Sequence, residues 1–210
     1  MTFETWIAFV IASSVLLMIP GPTILLVMSY ALSKGRSVAL ASAAGVALGD
    51  LVAMSASLAG LGALVLASAT AFTLLKWVGA AYLVYLGAKL LFSANEESLA
   101  LPDAAPSVTP RGVFAHAAAV TALNPKSIAF FIAFVPQFIR PEAAFLPQIS
   151  VLIATFVALA TLNALAYALL ADRLRSFFSQ PKALVWMTRT GGATLIAMGL
   201  FTATLKRATP

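Results

Sequence analysis

Six long apolar runs, separated by short polar connections, account for most of the chain. They cover residues 5–31, 38–66, 72–93, 112–138, 147–171 and 189–206. Each is close to the ~20 residues that a helix needs to cross a hydrocarbon core about 30 Å thick. None shows the period-two alternation of a lipid-facing barrel strand. The pattern therefore predicts an all-α integral membrane protein forming one transmembrane domain over 1–210. The longest connection, SANEESLALPDAAPSVTPRG, holds three acids and three prolines and reads as a solvated loop. It divides the domain into two halves of three segments, 1–93 and 112–210, with a cytoplasmic loop over 94–111 between them.

Composition agrees with the pattern. Hydrophobic residues make up 61% of the chain and charged ones only 10%, against roughly 25% charged in a soluble domain. The net charge of +6 could suggest nucleic acid, but the basic residues are scattered at the ends of apolar runs and form no stripe. That spacing fits a lipid bilayer as partner and excludes nucleic acid. Lys34, Arg36, Arg111, Arg173, Arg175 and Lys182 fall in the first, third and fifth connections, which places these inside the cell and both termini outside. Lys206 and Arg207 oppose that orientation. The start, Met1-Thr2-Phe3-Glu4, lacks the basic region of a cleavable signal peptide, so the first run is expected to be retained. The chain has no cysteine, which excludes disulfides and thiol chemistry.

Two features break the apolar pattern. Residues 16–27, LLMIPGPTILLV, place Pro20, Gly21 and Pro22 inside the first run, and Asn124-Pro125-Lys126 interrupts the fourth. Proline lacks a donor and clashes with the preceding turn. In lipid the freed backbone groups must be buried in protein or line a watered cavity. One such break can be a kink that shapes packing, whereas breaks at matching places in two halves point to a cavity. Each half has an odd number of spans, so the halves would be inverted relative to one another, with broken first and fourth helices. Interrupted helices at corresponding places of inverted repeats are the usual pointer to a transporter site.

The second feature is charge at depth. Asp50 lies about twelve residues into the second run and Lys126 directly follows Pro125. A charge at mid-membrane costs at least ~2.5–3.5 kcal/mol and faces the protein interior. Asp50 is expected to be a proton or substrate site, or else a structural partner of Lys126. Ala41, Gly45, Gly49, Ala53 and Ser57 form a stripe of small residues along the same helix, which lets a neighbour approach closely. Gly45-x-x-x-Gly49 also leaves a homo-oligomer open. Asn163, deep in the fifth run, is interhelical glue or cavity lining. Gln137 and Tyr82 are second-tier candidates, and His116, the only histidine, reads as interfacial. No metal-ligand cluster, phosphate loop or serine–histidine–acid set is visible, so neither an enzyme nor a cofactor is expected.

Several of these residues resemble a known family. Pro20-Gly21-Pro22, Gly45-x-x-x-Gly49-Asp50, Lys76-x-x-Gly79-x-x-Tyr82-Leu83-x-x-x-Gly87, Asn124-Pro125-Lys126 and Phe134-x-Pro136-Gln137-Phe138 occur in this order. The set is similar to the LysE/RhtB family of bacterial amino-acid exporters, over essentially the whole chain. The resemblance implies a multi-pass carrier of the bacterial inner membrane that exports amino acids or related zwitterions against protons. It also implies that Pro20, Gly21, Pro22, Gly45, Gly49, Asp50, Asn124, Pro125 and Lys126 form the core of the site. In that arrangement, amides beside Gly21 and the Lys126 ammonium would hold the substrate carboxylate. Asp50 would hold a proton or the substrate amine. A channel would show polar residues along one face of several helices, and a scaffold would need no mid-membrane carboxylate.

Overall fold

The computed structural model describes residues 1–19, 21–34, 36–67, 69–93, 109–140, 143–171 and 181–204. All the regular structure among them is helical. The elements are α1 (Phe3–Met18), α2 (Pro22–Lys34), α3 (Arg36–Ala67), α4 (Ala69–Ser93), α5 (Pro110–Ala122), α6 (Pro125–Ala133), a 3₁₀ turn (Val135–Phe138), α7 (Phe145–Leu169) and α8 (Pro181–Thr204). Pro20 and most of the central loop lie outside the described residues.

Local chemistry explains the starts. Thr2 caps α1, its hydroxyl accepting from the Thr5 amide at 3.3 Å, and Glu4 places negative charge in the first turn. Thr109 caps α5 and Asn124 caps α6, each followed by a proline. At the first helical position proline loses nothing by lacking an N–H, and its fixed φ suits the helix. Pro22 opens α2 in the same way. The prolines of the first and fourth runs are thus the first residues of new helices.

Two helical stretches, Val38–Gly62 and Phe145–Leu169, are each long and apolar enough to cross a membrane. Two further pairs pass together, bent by 58° between Phe3–Met18 and Pro22–Leu32 and by 44° between Pro110–Ala122 and Pro125–Phe138. The described residues thus hold two spans, or four if each bent pair is one. One boundary differs from the sequence reading. The last helix begins at Pro181 and not near 189. Lys182 and Arg189 interrupt the apolar run without interrupting the helix, and both are exposed on it.

Packing places α3 at the centre. It lies along α5 and α7, while α4 lies along α8. Gly45 and Gly49 explain the first contact. A Cβ on Gly45 would meet the Phe114 carbonyl, and one on Gly49 would come within 2.6 Å of the Ala118 carbonyl and of Thr121 Cβ. Both glycines are therefore used inside the chain, against α5. The largest apolar cluster is built around Phe9, Phe130, Phe131 and Phe156, all fully buried.

Candidate functional site

The two helix breaks face each other across a small cavity of about 20 Å³, room for about one water. Polar groups reach it from five helices: Thr23 of α2, Asp50 of α3, Thr121 of α5, Lys126 and Ser127 of α6 and Asn163 of α7, with Asn124 at the second break. Leu16, Leu17, Ile24, Val46 and Ala160 supply its apolar wall.

Consider first the end of α1. A helix leaves its last carbonyls without intrahelical partners, and no water reaches them inside a bilayer. Here each of four successive carbonyls accepts from the second half of the chain. Lys126 Nζ donates to Leu16 O at 3.2 Å and to Ile19 O at 2.9 Å. Asn163 Nδ2 donates to Leu17 O at 3.1 Å, and the Tyr167 hydroxyl donates to Met18 O at 3.2 Å. A cation at a helix C-terminus is also favoured by the helix dipole. Gly21 makes the approach feasible, because its Cβ would sit 3.3 Å from Lys126 Nζ.

The second break is held by hydroxyls and one amide. Asn124 Oδ1 accepts from the Lys126 amide at 3.1 Å, while its Nδ2 donates to Thr23 Oγ1 at 3.2 Å. Thr121 Oγ1 donates to the same oxygen at 3.4 Å. With both lone pairs of Thr23 occupied, its own hydroxyl proton is left to donate. At the start of α2 the Leu25 amide returns to Gly21 O at 3.0 Å. Pro22 removes one of the orphan amides that a helix start otherwise presents.

Asp50 is buried among these groups. It is only 3% exposed and lines the cavity. Among the described residues its carboxylate makes no direct hydrogen bond, and the charge that acts on it is the Lys126 ammonium, which lines the same cavity. The Lys126 ammonium is itself held by the carbonyls of α1, so the two charges act on each other across the cavity without a direct contact.

The structure brings together Gly21, Asp50, Asn124, Lys126 and Asn163, with Pro22 and Pro125 setting the breaks. Gly45 and Gly49 lie on the α5-facing side of α3. Tyr82 is 39% exposed and stacks on Tyr85, with ring centroids 6.0 Å apart, so it faces away from the cavity. Gln137 donates to Ala133 O at 3.2 Å and to Thr202 Oγ1 at 2.7 Å, tying the 3₁₀ turn to α8. His116 meets Tyr30 Oη at 2.7 Å, between α5 and α2. Thr23, Thr121 and Tyr167 were not singled out from the sequence. Tyr167 lies four residues after Asn163, on the same face of α7, which is the signal that could have found it.

Broken helices closing on a polar cavity, within an all-helical and strongly apolar chain, define a multi-pass membrane protein with an interior site. The chain belongs to the LysE type translocator family, whose model matches residues 14–206. It is 33% identical to the homoserine/homoserine lactone efflux protein of Salmonella typhimurium, over 99% of this chain and all of that one. It is 32% identical to an uncharacterized membrane protein of Vibrio cholerae, over 98% of this chain and all of that one. The leucine efflux protein of Salmonella choleraesuis is 31% identical over 64% of this chain and 63% of its own. No solved structure matches.

Proposed function

We propose that this chain exports small neutral amino acids across the bacterial inner membrane by proton antiport, with Asp50 as the shared site for proton and substrate ammonium. The observation that carries the reading is the Asp50 carboxylate, buried against the cavity between the two breaks. A charge at this depth is expensive. A scaffold gains nothing from placing such a group beside a cavity. The export relatives named above handle homoserine, its lactone and leucine, and the ammonium is the charged group common to these compounds. One carboxylate beside an apolar wall of Leu17, Ile24, Val46 and Ala160 suits that set. The free Thr23 proton and the start of α2 face the same space and suit a substrate carboxylate or carbonyl.

The cavity is far smaller than an amino acid, so binding requires the halves to separate. The pairing of α3 with α7 and of α4 with α8 is what two inverted three-helix repeats, 1–93 and 112–210, would produce, and it supports rocking of one half against the other. Proton and ammonium compete for one carboxylate, which couples the two fluxes without a second site.

Asp50→Asn tests this in proteoliposomes loaded with labelled homoserine or leucine. Loss of a charge-assisted contact, worth about 1.5–3 kcal/mol, is expected to weaken counterflow about 10–100-fold. Uphill movement driven by a proton gradient should disappear altogether. An Asn variant that still concentrates substrate against its gradient would remove Asp50 from the coupling.

A further inference from the structure

The carbonyl end of α1 offers two converging oxygens of the kind that ligate monovalent cations. Hard cations take oxygen ligands, backbone carbonyls among them. In membrane carriers the C-terminal ends of interrupted helices coordinate such ions. Here the Leu16 and Ile19 carbonyls converge on a single point, at the negative end of the α1 dipole and beside the cavity that Asp50 lines. The occupant of that point is the ammonium of Lys126, at 3.2 and 2.9 Å from the two oxygens. The neighbouring carbonyls of Leu17 and Met18 are satisfied by neutral donors, Asn163 and Tyr167. Only the converging pair receives a charge. Gly21 keeps the space clear, since a side chain there would press on Nζ at 3.3 Å. An ammonium group and a potassium ion carry the same charge and are similar in radius.

We infer that Lys126 is the resident cation of an alkali-cation site formed by the Leu16 and Ile19 carbonyls, and that removing its ammonium opens this site to a free monovalent cation. The wild-type protein then needs neither sodium nor potassium. The inference concerns the cation at the break and uses the transport reading only for its second readout.

The first readout is thermal melting of the purified protein in detergent, in choline, sodium, potassium or methylammonium chloride at equal concentration. Wild type is expected to melt at one temperature in all four. Lys126→Ala is expected to melt lower in choline and to recover about 3–6 °C in potassium or methylammonium, the shift that saturating a vacated site gives a chain of this size. A role as a mere hydrogen-bonding cap gives an Ala variant with the same melting temperature in every salt, and that overturns the inference. So does an Ala variant that no cation recovers. Asp50→Asn keeps Lys126 in place and should be indifferent to the salt; a cation response there puts the ion on another group. The second readout is counterflow by wild type, which should be equal in sodium and choline, and a sodium requirement contradicts the inference. Wild-type vesicles that show no counterflow, with the melting pattern intact, sink the transport reading and leave the cation site standing.

Discussion

The cavity is closed at its two ends by different means. Toward the start of α1, the end of α6 and the start of α7, the closure is one continuous aromatic cluster. Phe131 meets Phe156 edge-on with ring centroids 4.8 Å apart, Phe130 stacks on Phe134 at 5.3 Å, and Phe9 meets Phe138 at 5.3 Å. Toward the ends of α2 and α7 and the start of α3, small residues do the work. Val27, Ala39, Ala43, Val46, Ala164 and Ala168 form one cluster, and two smaller ones surround Met28 and Tyr30. Letting water into either end exposes apolar surface at about 25 cal/mol per Å², and the aromatic end has much more to expose. Local opening starts where the least is lost. The substrate-free protein should therefore breathe at the alanine end, with the aromatic end acting as the fixed wall.

The largest expected effect comes from cutting into that wall. Phe130 is fully buried, and Phe130→Ala should cost about 3–5 kcal/mol in reversible unfolding from mixed micelles. Val27, also fully buried but at the other end, loses two methyl groups on Val27→Ala, or about 1.5 kcal/mol. Equal losses would mean that the two ends are equally firm, and the comparison would fail. The contact of α3 with α5, beside the cavity, can be disturbed by addition. Gly49→Ala would push a methyl group to 2.6 Å from the Ala118 carbonyl, and a backbone atom cannot rotate aside. Overpacking of this kind costs about 1–3 kcal/mol and should separate α3 from α5.

How much of this was legible in the sequence depends on which groups carry it. The apolar runs and the two breaks were readable, because proline announces a helix start as well as a helix end. Asp50 stood out because a short carboxylate in a long apolar run has no route to the interface. Lys126 was noticed, but its partners are backbone carbonyls, which no residue type marks. The Leu16–Ile19 end of α1 was therefore invisible, and with it the shared task of Asn163 and Tyr167. Tyr82 and Gln137 could be read from the sequence only as second-tier candidates. In a lipid-embedded helix both faces are apolar, so periodicity does not say which side a tyrosine takes. The start of α8 was missed for the opposite reason, since Lys182 and Arg189 lower the hydropathy of residues that are nonetheless helical.

Chemical accessibility gives a subtler measure of the same contrast. The chain has no cysteine, so single-cysteine variants report without background. Ala43 and Ala164 at the alanine end, and Ala129 and Ala133 at the aromatic end, are all at most 4% exposed and accept a thiol with little change in size. Maleimide labelling at 43 and 164 is expected to be at least about tenfold faster than at 129 and 133, the ratio produced by ~1.4 kcal/mol of opening free energy. Rates that agree, or that run the other way, would place the breathing end elsewhere.

The smallest effect is a control on the glycine argument. Gly60 lies on α3, as Gly45 and Gly49 do, but nothing is within 4 Å of the place its Cβ would take. Close approach therefore cannot explain it, and in a helix interior glycine is merely less favourable than alanine. Gly60→Ala should stabilise by about 0.5–1 kcal/mol, with counterflow unchanged because the residue lies outside the cavity. The sign is what matters here. If Gly60→Ala destabilises as Gly49→Ala does, the glycines of α3 serve its backbone and not its contact with α5. The small-residue stripe would then no longer explain why this helix, and the carboxylate it carries, sits at the centre of the bundle.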